Sequence, residues 1–345
     1  MFSCGGNSSS SNGDGTSTVV SKRAGVNDVF VHLSADLDKI NPVTSTSANS
    51  SLVERFIFYN LLEIDPKTLE LVPVVAKSRP EIAPATVNVY GKDKEGLTIT
   101  YEIRNEAKWD DGTPITADDF IFTVKVIKNP KVDAEHARPY FDFIYDIKVD
   151  PTNNKKFTIY TKDTYILSES SSSSPLLPKH LYDKDGLMDK FSLVDLGNPA
   201  KKTELAGNKD IIAFAEQFNG ENYSRNPAFI SGCGPYKLKE WSTGQRVILE
   251  KKQDWWGNDL VGKVTRFDNY PDRLVYEIIV DNTTAVTAMK DESIDVMDYI
   301  PSKDFVGLQE NKQFLDLYSL HTPIAPAYSY IGLNLKNPKL ADKKV

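Results

Sequence analysis

"LTITYEIRNEAKWDDGTPITADDFIFTVKVIKNP", residues 97–130, carries a strand, a turn and a helix in one run. Leu97, Ile99, Tyr101 and Ile103 alternate with Thr98, Thr100 and Glu102, the period of a strand with one buried face. Asp111-Gly112 reads as a turn. Thr116 then stands as the N-cap of a helix, with Asp119 at the reciprocal position of a capping box, and Ala117, Phe120, Val124 and Ile127 share one face. Asn129-Pro130 ends the helix, because a residue before proline is pushed out of the helical region.

On either side the pattern continues as mixed α and β. Upstream, residues 28–65 open with Val29 and Val31 in a short strand, pass through a polar loop, and place Leu52, Phe56 and Tyr59 at helical spacing. Downstream, Phe157 and Ile159 mark another strand. "SESSSSSPLLPKHLYD" (168–183) reads as a Ser-rich loop reaching a proline-initiated turn, and "IIAFAEQF" (211–218) as a modest helix. Residues 236–238 and 247–249 are two strands of a hairpin across "STG", with Cys233 at its entrance. The succession from Tyr276 through Ile294 to Tyr299 predicts strand, helix and strand with a parallel pair, in a lobe different from the preceding strands.

With 345 residues, 40% of them hydrophobic, the chain predicts two or more domains with ample core. A net charge of −7 without a sustained Lys/Arg cluster argues against a nucleic-acid partner, which needs a concentrated basic face. No apolar run approaches the length of about 18 residues that a membrane span requires. Cys4 and Cys233 are too few for a disulfide framework and sit in unlike contexts.

Catalytic and metal chemistry find little support. His32, His136, His180 and His321 show neither HExxH nor paired-Cys spacing, so no metal site is expected. "DLDKIN" at Asp36 starts like a calcium loop but lacks Gly at the sixth position and Glu at the twelfth, which leaves turn and cap chemistry. Gly232 and Gly234 give only G-x-G before a strand, and no GxxxxGK[ST] loop exists to cradle phosphate. The adjacent carboxylates Asp110–Asp111 and Asp118–Asp119 fit turn and cap roles better than acid–base work. Trp255 and Trp256 are assigned to the core ahead of a cleft wall. A nucleophilic Cys233 would need a base that the sequence does not supply.

The tract after Cys4, "GGNSSSSNGDGTST", behaves as a flexible leash. "MFSC" before it resembles the maturation site of a bacterial lipoprotein, with Ser3 preceding a lipidated Cys4. The basic and apolar signal segments such a site requires do not precede it here, so the reading expects the chain to begin inside or after them.

Several stretches together resemble the bacterial extracellular solute-binding proteins of family 5, the peptide and oligopeptide class that serves ABC importers. "LLEIDPKTLELVPVVAKS", residues 97–125 and "LLPKH" resemble its early and middle segments. "GCGPYKLKEWSTGQRVILEKKQDWWGN", followed by "LVYEIIVDNTTAVTAMKDESIDV", resembles its G-x-G-P-Y, Y-W-G and G-E-I-D motifs in order and spacing. Trp255 stands for the usual Tyr, Asp291-Glu292-Ser293 replaces Gly-Glu, and Cys233 takes a position that is often Thr.

The resemblance implies an α/β, bilobal fold of the periplasmic-binding-protein type (class II, cluster C), with the second lobe incomplete and the chain apparently truncated at its C-terminus. Its expected divisions are 1–24 as tether, 25–51 and 165–275 as the mixed sheet of lobe I, 52–164 as an inserted subdomain, and 276–345 as the start of lobe II. It implies peptide capture between the lobes, outside the cytoplasmic membrane, by strand addition. The expected ligand contacts are Thr46, Ser47 and Ala48 of the "TSTSA" loop (44–48), Tyr140, and the wall Ser231, Gly232, Cys233 and Gly234, where the glycines would let backbone approach ligand. Expected partners are a peptide and the importer's permease subunits, with a lipid anchor as the sole membrane contact. No cofactor and no enzymatic activity are expected, and the protein is expected to be monomeric. The alternatives are another solute on the same fold (a nickel complex, a sugar or a signalling peptide) and a cysteine hydrolase built on Cys233. Alone, the chain is expected to be poorly soluble through its exposed lobe II edge.

Overall fold

The structure, a computed structural model, describes residues 27–323, 330–340 and 342. Cys4 and the leash lie outside the described residues.

Residues 97–130 fold as their pattern predicts. Their strand is the second half of β5 (Lys92–Glu102), held antiparallel between β4 (Glu81–Val89) and β7 (Asn153–Thr161), with β6 (Ile144–Asp150) beyond β7. The helix α2 (Ala117–Lys128) starts where the Asp119 carboxylate accepts the Thr116 amide at 3.0 Å. It ends at Asn129, whose ψ of 121° is already extended. Alternation puts Tyr101 and Phe157 on the face that α2 covers, and Phe120 stacks on Phe157 with centroids 4.8 Å apart.

A second four-stranded sheet has the order β1-β10-β9-β8, with β1 (Asp28–Leu33), β8 (Tyr236–Ser242), β9 (Arg246–Lys251) and β10 (Arg273–Ile278). The hairpin β8–β9 is the one expected across "STG", and β10 pairs antiparallel with β9 but parallel with β1. Helix α1 (Ala48–Glu54) follows β1 after a loop, and a short hairpin joins β2 (Leu62–Ile64) to β3 (Leu71–Pro73).

The expected start of lobe II at residue 276 needs correction, because it falls inside β10. That strand is bonded to β1 on one side and β9 on the other, so it belongs to the sheet of the first strand. After β10, helix α10 (Asn282–Lys290), capped by the Asp281 carboxylate on the Thr284 amide, returns the chain to the far side of β1. There Val296 forms a parallel bridge with Val31. The strand–helix–strand succession is present as predicted, but its two extended segments flank β1 within one sheet.

The connections carry short helices: α3 (Arg138–Phe141) before β6, then α4 (Ser168–Ser171), α5 (Lys179–Tyr182), α6 (Leu193–Leu196), α7 (Lys202–Ala206), α8 (Lys209–Phe218) and α9 (Asn222–Arg225) between β7 and β8. Helices α5 and α6 pack on α2, and α6 also meets β6, so this part of the expected lobe I segment 165–275 lies against the β4–β7 sheet. Of the described residues, those through Ile300 form one compact unit and those from Pro301 onward another, which holds α11 (Ser302–Gln309) and α12 (Lys312–Leu315). No helix among the described residues is long and apolar enough to cross a membrane.

Candidate functional site

In an open sheet with parallel strands, the loops at the carboxyl ends of those strands are where a ligand is most readily held. Here the carboxyl end of β1 leads into residues 34–47, a loop with little regular structure that two acidic groups shape from behind. Asp36 accepts the Trp241 indole N–H at 2.9 Å and the Gly244 amide at 2.7 Å, tying the loop to the β8–β9 hairpin. Asp38 accepts from the Thr46 amide at 2.8 Å, the Thr46 hydroxyl at 3.1 Å and the Ser50 hydroxyl at 2.6 Å. Burial works to raise the Asp38 pKa, but the donors from Ser50, Thr46 and Lys39 outweigh it and hold the carboxyl below its usual range.

Glu54, the last residue of α1, is the counterpart. It is buried, accepts the Asn41 amide at 2.6 Å and the Ser45 hydroxyl at 2.9 Å, and thereby fixes the inner half of the loop. Burial pushes its pKa up to about 7, the nearby Asp38 charge adds to the rise, and the two hydrogen bonds only partly oppose it. The loop is thus strung between a carboxylate kept ionised and a carboxyl kept near neutrality. Sequence reasoning assigned turn and cap chemistry to Asp36 and Asp38 but missed Glu54, since a Glu inside a helical pattern reads as surface.

The expected loop contacts divide. Thr46 and Ala48 are exposed, whereas Ser47 is half-buried and its side chain accepts the Asn49 amide as the cap of α1. The amides of Thr44 and Ser45 both bond to the Asn41 carbonyl, and that of Thr46 bonds to Asp38. The carbonyls of Ser45 and Thr46 accept no hydrogen bond among the described residues, and of the two residues only Thr46 is exposed. Tyr140 stands on α3 with 56% of its surface exposed. The ion pair Lys39–Asp133 at 3.2 Å ties the loop to the segment that leads into α3.

The wall 231–234 requires correction: Ser231, Gly232, Cys233 and Gly234 are all buried. Their close approach is to the protein's own chain. The Gly234 amide donates to the Ile57 carbonyl at 2.8 Å, and a Cβ at Gly232 would lie 2.2 Å from that same oxygen. The Cys233 carbonyl accepts indole N–H groups from both Trp255 and Trp256 at 2.8 Å, which puts Trp255 in the core as expected. The Cys233 thiol lies 3.6 Å from the Tyr59 carbonyl, and burial pushes its pKa up to about 12, so it stays protonated and enclosed. Lys252 joins this wall to the turn after β5, bonding the Gly232 carbonyl at 2.7 Å and the Asp110 carboxylate at 2.6 Å. Ser231 donates to the same carboxylate at 3.2 Å.

A cavity of about 1250 Å³ opens at the other end of the sheet against Asp28, Arg273 and the Asp110–Gly112 turn, and none of the expected contacts lines it. Among the described residues no group of three or more His, Cys, Asp or Glu side chains is arranged to hold a metal ion.

Comparison with known proteins matches residues 70–345 to the family model described as bacterial extracellular solute-binding proteins, family 5 Middle. The oligopeptide-binding protein AppA of Bacillus subtilis is 25% identical over the whole of this chain and 53% of its own length. The peptidoglycan-binding protein YepA of Agrobacterium fabrum is 31% identical over 59% of this chain and 27% of its own. Among solved structures, an oligopeptide-binding protein from Thermus thermophilus complexed with a pentapeptide superposes with a TM-score of 0.61 at 19% identity, covering 85% of this chain and 47% of that one. The chain thus spans about half the length, or less, of these relatives. With the family model matched over most of its residues and the fold shared with solved members, the chain belongs to the bacterial extracellular solute-binding proteins of family 5.

Proposed function

We propose that this chain is part of the substrate-binding component of an ABC importer, capturing di- or oligopeptides outside the cytoplasmic membrane and delivering them to the permease. The observation that carries the reading is the family match over residues 70–345, taken with relatives named for oligopeptides and dipeptides. The geometry agrees with it. Thr46 and Ala48 offer an exposed, braced surface beyond the carboxyl end of β1, and a peptide would donate an N–H group to the carbonyl of Thr46. Tyr140 would border the same surface. Ser231, Gly232, Cys233 and Gly234 would serve as the rigid backing of the jaw. Closure of a second jaw over the ligand would then select the closed state by differential affinity.

The reading extends to a monomeric, non-enzymatic protein held at the membrane by lipid on Cys4. The enclosed, protonated Cys233 thiol speaks against the hydrolase alternative. The test is thermal unfolding of the full-length gene product with and without a mixture of short peptides. A ligand at a hundred times its Kd is expected to add about 2.7 kcal/mol of stability. No shift with any peptide, together with a shift from a nickel–histidine complex or an oligosaccharide, would overturn the peptide reading.

A further inference from the structure

At the opposite end of α1 from the loop, cations gather around a pocket of mixed lining. Its volume is about 440 Å³, and it lies between Arg55 and Phe56, the β2–β3 hairpin, and the short turn Thr265–Phe267. Guanidinium groups and rings interleave here, with Phe56 on the lining and Tyr59 and Phe267 buried. Arg55 and Arg266 sit 5.9 and 5.2 Å from the centroid of Phe56, and Arg266 is 5.1 Å from that of Tyr59. Tyr59 stacks on Phe267 at 5.8 Å, and Arg104 is 6.0 Å from the Phe267 centroid.

Three carboxylates, Glu63, Asp65 and Asp268, also line the pocket, against four cations, Arg55, Arg104, Lys263 and Arg266. Glu63 pairs with Arg266 at 2.5 Å. Asp65 is turned toward the amides of Lys67 and Thr68, and Asp268 toward the amide of Gly262. Arg104 donates from Nε to the Val74 carbonyl at 2.7 Å and forms no ion pair among the described residues. Arg55 has neither a side-chain hydrogen bond nor an ion pair among them, although it is exposed and its guanidinium can reach a ligand. The Arg55 pKa is lowered, first by partial burial of its side chain and then by the like charge of Arg266, and the charge of Glu63 opposes the fall. The rest of the lining is mixed, with Ile64, Val72, Pro73 and Val264 apolar beside the polar Thr265 and Asn269.

We propose that this pocket binds a small organic anion, a carboxylate or phosphate monoester on a compact apolar group. Arg55 grips the anionic oxygens, Arg104 reinforces the positive field, and Phe56, Val72 and Pro73 receive the apolar body. A guanidinium presents a planar fork that matches either anion, and the pocket falls within the range of about 300–1,000 Å³ usual for small-molecule sites. The site is separate from the loop proposed for peptides. Helix α1 has seven residues, so the two lie about 10 Å apart along its axis at a rise of about 1.5 Å per residue.

Isothermal titration of the 345-residue chain with phenyl phosphate, benzoate, inorganic phosphate and benzyl alcohol tests this directly. Saturable one-to-one binding of phenyl phosphate or benzoate is expected with a Kd below about 1 mM, and the tighter of the two identifies the anion. Inorganic phosphate, which leaves the apolar walls uncovered, and benzyl alcohol, which offers no charge, are each expected to bind at least about tenfold more weakly. Arg55→Gln is expected to weaken the aryl anion roughly tenfold or more while the circular dichroism spectrum is unchanged, and Val72→Phe, which fills the pocket, to do the same. Binding that survives both substitutions, equal binding of benzyl alcohol, or no saturable binding of either aryl anion would overturn the proposal. A peptide mixture is expected to leave the aryl-anion titration unchanged.

Discussion

Gly232 shows how a residue type can be forced by packing alone. Its backbone runs so close to Ile57 that any Cβ would press on a carbonyl oxygen, which has no flexible end to move aside. Gly232→Ala is therefore expected to destabilise the fold by about 3 kcal/mol, the upper end of overpacking costs, read as a lower midpoint in urea at an unchanged slope. A change under about 0.5 kcal/mol would mean that the segment before β8 and the turn after α1 separate easily, against the hydrogen bonds seen there. The sequence singled out the same glycine, through its family resemblance, as a place of close approach. It could not say that the approaching group is the protein's own Ile57 rather than a ligand.

The loop between β1 and α1 depends on two carboxyl groups with opposite preferences. Native Glu54 holds its proton more tightly than an unfolded chain would, so its contribution to stability is complete below its ordinary pKa of 4.5 and is lost as pH rises through about 7. The difference corresponds to about 3 kcal/mol across that window. Asp38 acts in the reverse sense, contributing above the ordinary carboxylate range and losing its contribution as pH falls. Unfolding free energy measured from pH 4.5 to 8 is expected to decline with pH in the native sequence and to flatten in Glu54→Gln, which stays neutral throughout. Equal slopes in the two proteins would remove Glu54 from the account. These couplings were only half legible: Asp and Asn in a loop announce turns through local geometry, whereas Glu54 owes its state to burial by segments far away in the chain.

The sheet that carries the loop is closed by its most distant parts. Beyond β10, α10 brings Val296 beside β1, and the His32 amide bonds the Val296 carbonyl at 2.9 Å. A chain ending at Ile300 is accordingly expected to retain one cooperative thermal transition. One ending at Asp281 loses α10 and the bridge, leaves β1 as an open edge, and is expected to melt lower and self-associate in size-exclusion chromatography. Identical melting of the two would show that the bridge contributes nothing. Local order was readable because it rests on neighbours in sequence: the alternation in β5, the cap at Thr116 and the stop at Asn129 each need only a few residues. The same holds for the hairpin β8–β9 and for α10. Family membership, too, was legible from motifs kept in order along the chain. The partition into lobes was not, because β1 and β10 pair across some 245 positions, and hydrophobic pattern states that a strand is buried without naming its neighbour. For the same reason the glycine wall faced inward and the arginines around Phe56 escaped notice: Arg55, Arg104 and Arg266 meet only once the chain is folded, and nothing in their separate surroundings announces a shared pocket.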